Sequence, residues 1–254
     1  MNHHSHESKD LSRRKKSFQQ EVVFLDGPHQ RRFEFGFVLR VMWDFIKGFR
    51  ALHFVGPCIT VFGSARLNHD SPYSKMAEEV GRRIAKMGFT VMTGGGPGIM
   101  QAANRGAQLA GGRSVGCNIV LPFEQQPNPF VNIAINIQYF FVRKVMLFKY
   151  SYGFVALPGG IGTMDELFEA LTLIQTGKLE SFPVILIGKD YYHHMVEFLK
   201  VMAKAGTIKE EDLQLFCLTD SLDEAMEKLE KHALEHLHRQ KARIKARWWF
   251  LEKN

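Results

Sequence analysis

The chain has 254 residues, 45% of them apolar, with a formal net charge of +7 and three cysteines, which suits one large α/β domain with its own core, or such a domain with appendages. No run of about 18 uncharged apolar residues occurs and the N-terminus carries no apolar leader stretch, so a membrane span and a secretory signal are not expected and a cytoplasmic protein is. Cys58, Cys117 and Cys217 lie far apart, each in or beside an apolar run, which is the usage of small core hydrophobes in a reducing compartment rather than of a disulfide framework or zinc site.

Residues 1–20 are polar and without periodicity, and Lys9, Arg13, Arg14, Lys15 and Lys16 give them positive charge, so a disordered basic tail is predicted there. His3, His4 and His6 belong to that tail, and without a C-x-x-C or H-E-x-x-H motif no metal is expected. Residues 21–56 form a helical extension, since Val38, Val41, Met42, Phe45, Ile46, Phe49 and Leu52 follow helical spacing. Its aromatic face is expected to dock on the domain or on a second subunit.

The α/β domain is expected over residues 57–238. Cys58 to Phe62 reads as a strand, broken by Gly63-Ser64-Ala65-Arg66. Two uses are open for Ser64: its hydroxyl and the Gly63 and Ser64 amides can face a phosphate, or Ser64 can cap a local turn. A helix from Ser74 to Met87 leads to a β-rich run, Phe89 to Thr93. The glycine turn Gly94-Gly95-Gly96-Pro97-Gly98 follows, and Ile99-Met100 opens another helix.

Next come a strand over Arg113 to Leu121, a proline-containing loop over Pro122 to Pro129, and an alternating strand pattern within Asn132 to Phe141. Phe140 to Phe148 reads as a helix carrying Arg143 and Lys144 side by side. Charges amid such a run are costly to bury unpaired. Neighbouring helix positions diverge by about a quarter turn or more, so one of the two is expected to face a pocket and the other solvent or a partner group.

The buried run from Gly153 to Leu157 ends at Pro158-Gly159-Gly160-Ile161-Gly162-Thr163-Met164-Asp165-Glu166, and an amphipathic helix is predicted from Glu166 to Gln175. Glycines between a strand and a helix let a ligand approach backbone amides with the positive end of the helix dipole behind them. A tight reversal of the chain explains each turn alone equally well. Thr163-x-x-Glu166 also matches a capping box, a use of Glu166 that involves no chemistry. The remaining pattern is a strand over Pro183 to Gly188, a helix over Tyr191 to Ala205, a short strand over Leu215 to Leu218 and a helix over Ser221 to His238. A basic tail at 239–254 holds Arg239, Lys241, Arg243, Lys245 and Arg247. No nucleic-acid module accompanies the charged tails, so nucleic acid is not an expected partner.

Alternation of strand and helix predicts a doubly wound parallel sheet with helices on both faces, and both glycine turns fall at strand carboxyl ends, where such sheets bind ligands. The Gly94 run has Ile99 where G-x-G-x-x-G needs its last glycine, no acidic residue follows about 20 positions on, and no G-x-x-x-x-G-K-[ST] exists, so NAD binding and P-loop hydrolysis are disfavoured. No lysine stands in a recognisable pyridoxal phosphate motif, and no cofactor is expected. An arginine and a glutamate beside a phosphate cradle suit scission of a glycosidic bond, whose cation-like transition state needs a nearby carboxylate and whose water needs a base.

Arg143-Lys144-Val145-Met146, the run from Pro158 to Glu166 and the run from Gly94 to Met100, together with Val61 to Arg66, resemble the Lonely guy family, over about Cys58 to Gly188. Those are cytokinin riboside 5′-monophosphate phosphoribohydrolases and bacterial nucleotide nucleosidases, long mislabelled as lysine decarboxylases. The resemblance implies a Rossmann-like homodimer that releases a free base and ribose 5-phosphate from a nucleoside 5′-monophosphate. It assigns catalysis to Arg143 and Glu166, and substrate binding to Gly63, Ser64, Gly94, Gly95, Gly96, Gly98, Met100, Lys144, Gly159, Gly160, Gly162 and Thr163. Relatives of this fold also bind nucleotide-like ligands without cleaving them, so a non-catalytic sensor or carrier is the second reading. The N-terminal extension and the basic C-terminus depart from the compact members of the family.

Overall fold

A computed structural model describes residues 18, 19, 21–28, 30–121, 126–180 and 182–240. The tail readings at 1–17 and 241–254, and the start of the proline-containing loop, lie outside these residues.

Helix α1 (Arg31–Leu52) precedes a seven-stranded sheet. The elements then follow in order: β1 (Cys58–Phe62), α2 (Pro72–Lys86), β2 (Thr90–Thr93), α3 (Ile99–Leu109), β3 (Ser114–Ile119), β4 (Ile133–Ile137), α4 (Phe140–Lys149), β5 (Ser151–Ala156), α5 (Ile161–Gln175), β6 (Val184–Ile187), α6 (Lys189–Lys204), β7 (Cys217–Thr219) and α7 (Leu222–Gln240). A 3-10 turn at Glu210–Gln214 separates α6 from β7.

Every strand pairing is parallel, in the order β4-β3-β2-β1-β5-β6-β7. The chain winds outward from β1 to β4, then crosses back to place β5 on the other side of β1. That reversal opens a crevice above the carboxyl ends of β1 and β5, the position at which open α/β sheets receive ligands. Backbone bonds from Ser64 N to the Pro158 carbonyl (2.9 Å) and from Leu157 N to the Phe62 carbonyl (2.9 Å) lock the two strand ends together beneath it.

The sheet separates two apolar cores. On one face Ala77, Val80 and Ile84 of α2, Ala102 and Ala103 of α3, and Leu229 of α7 pack against Val61 and Val155. On the other, Met146 and Leu147 of α4, Leu167 of α5 and Tyr192 of α6 pack on Phe62 and Phe154, with Phe37 and Leu52 of α1 closing the layer. β1 is buried along its whole length, as a central parallel strand covered on both faces must be.

Two sequence expectations change. The helix expected from Glu166 begins at Ile161, with Gly160 as its N-cap. Thr163 therefore stands inside the first turn, and no side chain caps this end, so the Thr163–Glu166 capping box does not form. Helix α1 docks by one face only: Phe37, Asp44, Gly48 and Leu52 are buried, while Phe35, Met42 and Trp43 stay exposed.

Candidate active site

A cavity of about 550 Å³ lies over the carboxyl ends of β1, β2, β3 and β5, within the usual size of a small-molecule site. Gly63 and Ser64 after β1, Gly94, Gly95, Gly96 and Met100 after β2, and Gly160, Gly162 and Thr163 at the start of α5 line it, with Arg143 and Glu166. Residues far apart in the chain thus meet because the parallel sheet brings its strand ends to one edge.

Helical spacing decides which of the two adjacent cations enters. Arg143 lines the cavity, its Nε donating to the Cys117 carbonyl at 2.9 Å. A Cβ on Gly94 would collide with its guanidinium, so the glycine turn is shaped around the arginine. Lys144 takes the other direction. Its ammonium pairs with Asp165 (2.8 Å) and Glu169 (2.6 Å) on α5 and lies outside the cavity lining.

Glu166 is only 5% exposed, and its Oε2 has no hydrogen-bond partner. Burial pushes its carboxyl up to about 7; the charges of Arg143 and Lys144 restrain that rise, while Asp165 and Glu169 add to it. A carboxyl poised near neutrality beside a fixed cation, at the wall of a cavity, is arranged for proton transfer or for stabilising positive charge. The neighbouring Cys117 thiol is pushed up by burial to about 11, the state of an inert core thiol rather than a nucleophile.

The glycines divide by what surrounds them. A Cβ on Gly63 would meet the Ile99 side chain, one on Gly159 would meet Thr163, and one on Gly98 would meet the backbone of Ser64 and Ala65. Packing accounts for these three, and Gly98 and Gly159 are not part of the lining. Gly160 and Gly162 differ, since nothing lies within 4 Å of where their Cβ atoms would be. Both line the cavity, so the volume a side chain would fill is open to a ligand at the positive end of α5.

Ser64 takes the turn-capping role, its Oγ accepting from Arg66 N at 3.0 Å. Its amide donates to the Pro158 carbonyl at 2.9 Å, so of the two uses open to it the structure shows the turn cap. The Gly95 amide is likewise held by Thr93 Oγ1 at 2.9 Å. The leading amides of α5 remain the anion-facing donors that this helix supplies.

Asparagines, which the motifs did not reveal, shape the other wall. Asn128 Nδ2 donates to the carbonyls of Gly95 (3.2 Å) and Gly96 (3.1 Å) and to Asn104 Oδ1 (3.0 Å), fixing the glycine turn. Asn118 lines the cavity from β3, its Oδ1 buried without a partner. A polar residue inside an apolar strand was the available signal for Asn118. Gln126, Ile119 and Leu121 complete this end. Among the described residues no group of three His, Cys, Asp or Glu side chains is disposed to hold a metal ion, and no helix is long and apolar enough to cross a membrane.

A family model described as possible lysine decarboxylase matches residues 100–229, just over half of the chain. The sequence is 27% identical over 184 residues to a cytokinin riboside 5′-monophosphate phosphoribohydrolase of Arabidopsis thaliana, covering 70% of this chain and 84% of that one. It is 30% identical over 156 residues to a phosphoribohydrolase of the same name from Rhodococcoides fascians, covering 59% of this chain and 77% of the other. Among solved structures, the Moco carrier protein of Chlamydomonas reinhardtii superposes with a TM-score of 0.52 at 26% identity, covering 71% of this chain and 99% of that one.

Proposed function

The chain belongs to the Lonely guy family, whose sequence model is the one described as possible lysine decarboxylase, and on that footing we propose that it hydrolyses the N-glycosidic bond of a nucleoside 5′-monophosphate. The substrate class is AMP or a cytokinin riboside monophosphate, and the products are the free base and ribose 5-phosphate. The enzyme works without a cofactor, as a homodimer in the cytoplasm.

Glu166 carries the proposal. A buried carboxyl with an unpartnered oxygen, beside Arg143 and one turn from the open glycines of α5, fits a group that meets the sugar while the helix start holds the phosphate. In its ionised form it receives the ribose hydroxyls, stabilises the positive charge developing at C1′ and takes a proton from the attacking water. Water's oxygen bonds to C1′ as the bond to the base breaks, the base departs with the bonding pair, and the proton that Glu166 took from water passes to the base through solvent, which restores the carboxylate. Arg143, braced by the Cys117 carbonyl, orients the nucleotide.

A carrier that binds a nucleotide-like ligand without cleaving it is the second reading, favoured by the likeness to the Chlamydomonas Moco carrier. Incubation of the purified protein with a panel of nucleoside monophosphates, followed by chromatography, separates the two. Release of free base with equimolar ribose 5-phosphate supports the hydrolase. Thermal stabilisation by the nucleotides with no base released across the panel supports the carrier.

A further inference from the structure

We infer that the Tyr191 hydroxyl is a positioning group for the phosphate site: it holds the peptide between Gly159 and Gly160 in the orientation that turns the Gly160 amide toward the ligand. The inference rests on the phosphate placement proposed above and adds to it a residue outside the cavity lining.

In the turn that leads from β5 into α5, each carbonyl from Leu157 to Gly160 is occupied. The Leu157 carbonyl accepts from the Tyr192 hydroxyl at 2.9 Å, and that of Pro158 from the Ser64 amide at 2.9 Å. The Gly159 carbonyl accepts from the Tyr191 hydroxyl at 2.5 Å, and that of Gly160 from the Thr163 and Met164 amides inside α5. A carbonyl oxygen facing a phosphate repels it, so a cradle for an anion has to turn these groups away and leave N–H groups in front.

The Tyr191 bond has a consequence that the others lack. The peptide it holds lies between two glycines, so rotation of the peptide plane meets no Cβ of either residue and costs little unless something pins it. The described residues contain no cis peptide bond, and in a trans peptide the N–H points opposite to the C=O. By fixing the Gly159 carbonyl on the α6 side, Tyr191 fixes the Gly160 N–H on the other. Gly160 is the N-cap of α5 and lines the cavity. The Tyr192 bond orients no donor, since the peptide it holds ends in Pro158 and carries no N–H. Helix α6 keeps the Tyr191 hydroxyl in place from its first turn. Its N-cap Gly188 lies so near Pro158 that a Cβ there would come within 3.3 Å of the proline ring. The Lys189 amide donates to Asp220 at 2.8 Å, and the rings of Tyr191 and Tyr192 meet edge to face at 5.0 Å.

Calorimetric titration of AMP and of adenosine into the full-length protein tests this, in a Glu166→Gln background so that turnover does not deplete the ligand. The ratio of the two dissociation constants reads the phosphate alone. Tyr191 is 45% exposed, so removal of its hydroxyl leaves the core intact. Tyr191→Phe is expected to reduce the ratio about tenfold, on the order of one hydrogen bond to a charged group, through weaker AMP binding with adenosine binding unchanged. Tyr192→Phe strips the neighbouring hydroxyl from a buried carbonyl, and is expected to lower the melting temperature and leave the ratio as it was. An undiminished ratio in a folded Tyr191→Phe protein overturns the role of Tyr191 while leaving the phosphate site in place. So does a loss of affinity shared equally by AMP and adenosine, the mark of a merely structural bond. A parent protein that binds AMP no more tightly than adenosine instead overturns the phosphate placement, and this inference with it.

Discussion

The Asp44 carboxylate on α1 accepts a hydrogen bond from the Gln138 amide at 2.7 Å and a second from the Tyr139 amide at 3.3 Å. Tyr139 is the N-cap of α4 and has no side-chain cap of its own, and its carbonyl receives the Arg143 amide at 3.0 Å. A buried negative charge thus stands at the positive end of the helix that carries Arg143. Asp44→Ala leaves two amides without their acceptor, and a stability loss of about 1–3 kcal/mol is expected. Displacement of α4 is expected to lower kcat on the order of tenfold or more. Asp44→Asn keeps an acceptor oxygen and is expected to restore most of both. Thermal melts and kcat measured well below the melting temperature check this, and an Asp44→Ala protein with wild-type kcat would refute the positioning role.

Gly162 offers a case in which stability and activity separate. It lies in the first turn of α5 with nothing near its missing Cβ. Alanine is better than glycine in a helix, so Gly162→Ala is expected to raise stability by about 0.5 kcal/mol. Gly162 lines the cavity where the phosphate is proposed to sit, and the added methyl is expected to take up space there. An increase in KM for the nucleotide of about tenfold is expected, on the order of the 1.4 kcal/mol that a small steric conflict removes from binding. Steady-state kinetics beside a melting curve decide it; an unchanged KM would place the phosphate elsewhere.

The alternation of strands and helices was legible because buried parallel strands such as Cys58 to Phe62 are continuous apolar runs, while the crossovers carry helical periodicity. The return of β5 to the far side of β1 was not, since a hydrophobic run does not name its neighbours. The start of α5 was misjudged because glycine is a poor helix former, and Gly160 and Gly162 hid a first turn that tertiary packing supports. Motif spacing brought out Arg143 and Glu166, but the choice between Arg143 and Lys144 needed the acidic partners on α5. Asn128 and Asn118 sit outside any motif, and only the sheet order reveals that they adjoin the Gly94 turn.

Lys144 supports Glu166 from outside the cavity. Its positive charge lowers the Glu166 pKa while its ammonium is held by Asp165 and Glu169. Lys144→Met removes the cation and leaves both acids facing Glu166. The pH dependence of kcat/KM is then expected to move toward alkaline pH, with the plateau at high pH reduced by less than about threefold because no substrate contact is lost, a difference below about 0.7 kcal/mol. A large fall in the plateau with the midpoint unmoved would instead put Lys144 on the substrate.

Glu166 ties activity and stability to one titration with opposite signs. Its carboxyl rises from 4.5 to about 7 on folding because burial penalises the charge. The folded state therefore prefers the protonated form: the stability this group contributes is fully present below about pH 4.5 and is lost as pH rises through about 7. Glu166→Gln is neutral at every pH, so its stability relative to wild type should grow between about pH 5 and 8, by up to about 3 kcal/mol. Turnover runs the other way, since the proposed chemistry needs the carboxylate, and kcat/KM of the wild type is expected to rise with pH through about 7. Glu166→Gln should release no base at any pH, yet still be thermally stabilised by the nucleotide. Parallel melts and base-release assays across pH measure all three; turnover by Glu166→Gln would remove Glu166 from the chemistry, and a pH-independent stability difference would mean that its carboxyl is not desolvated in the fold.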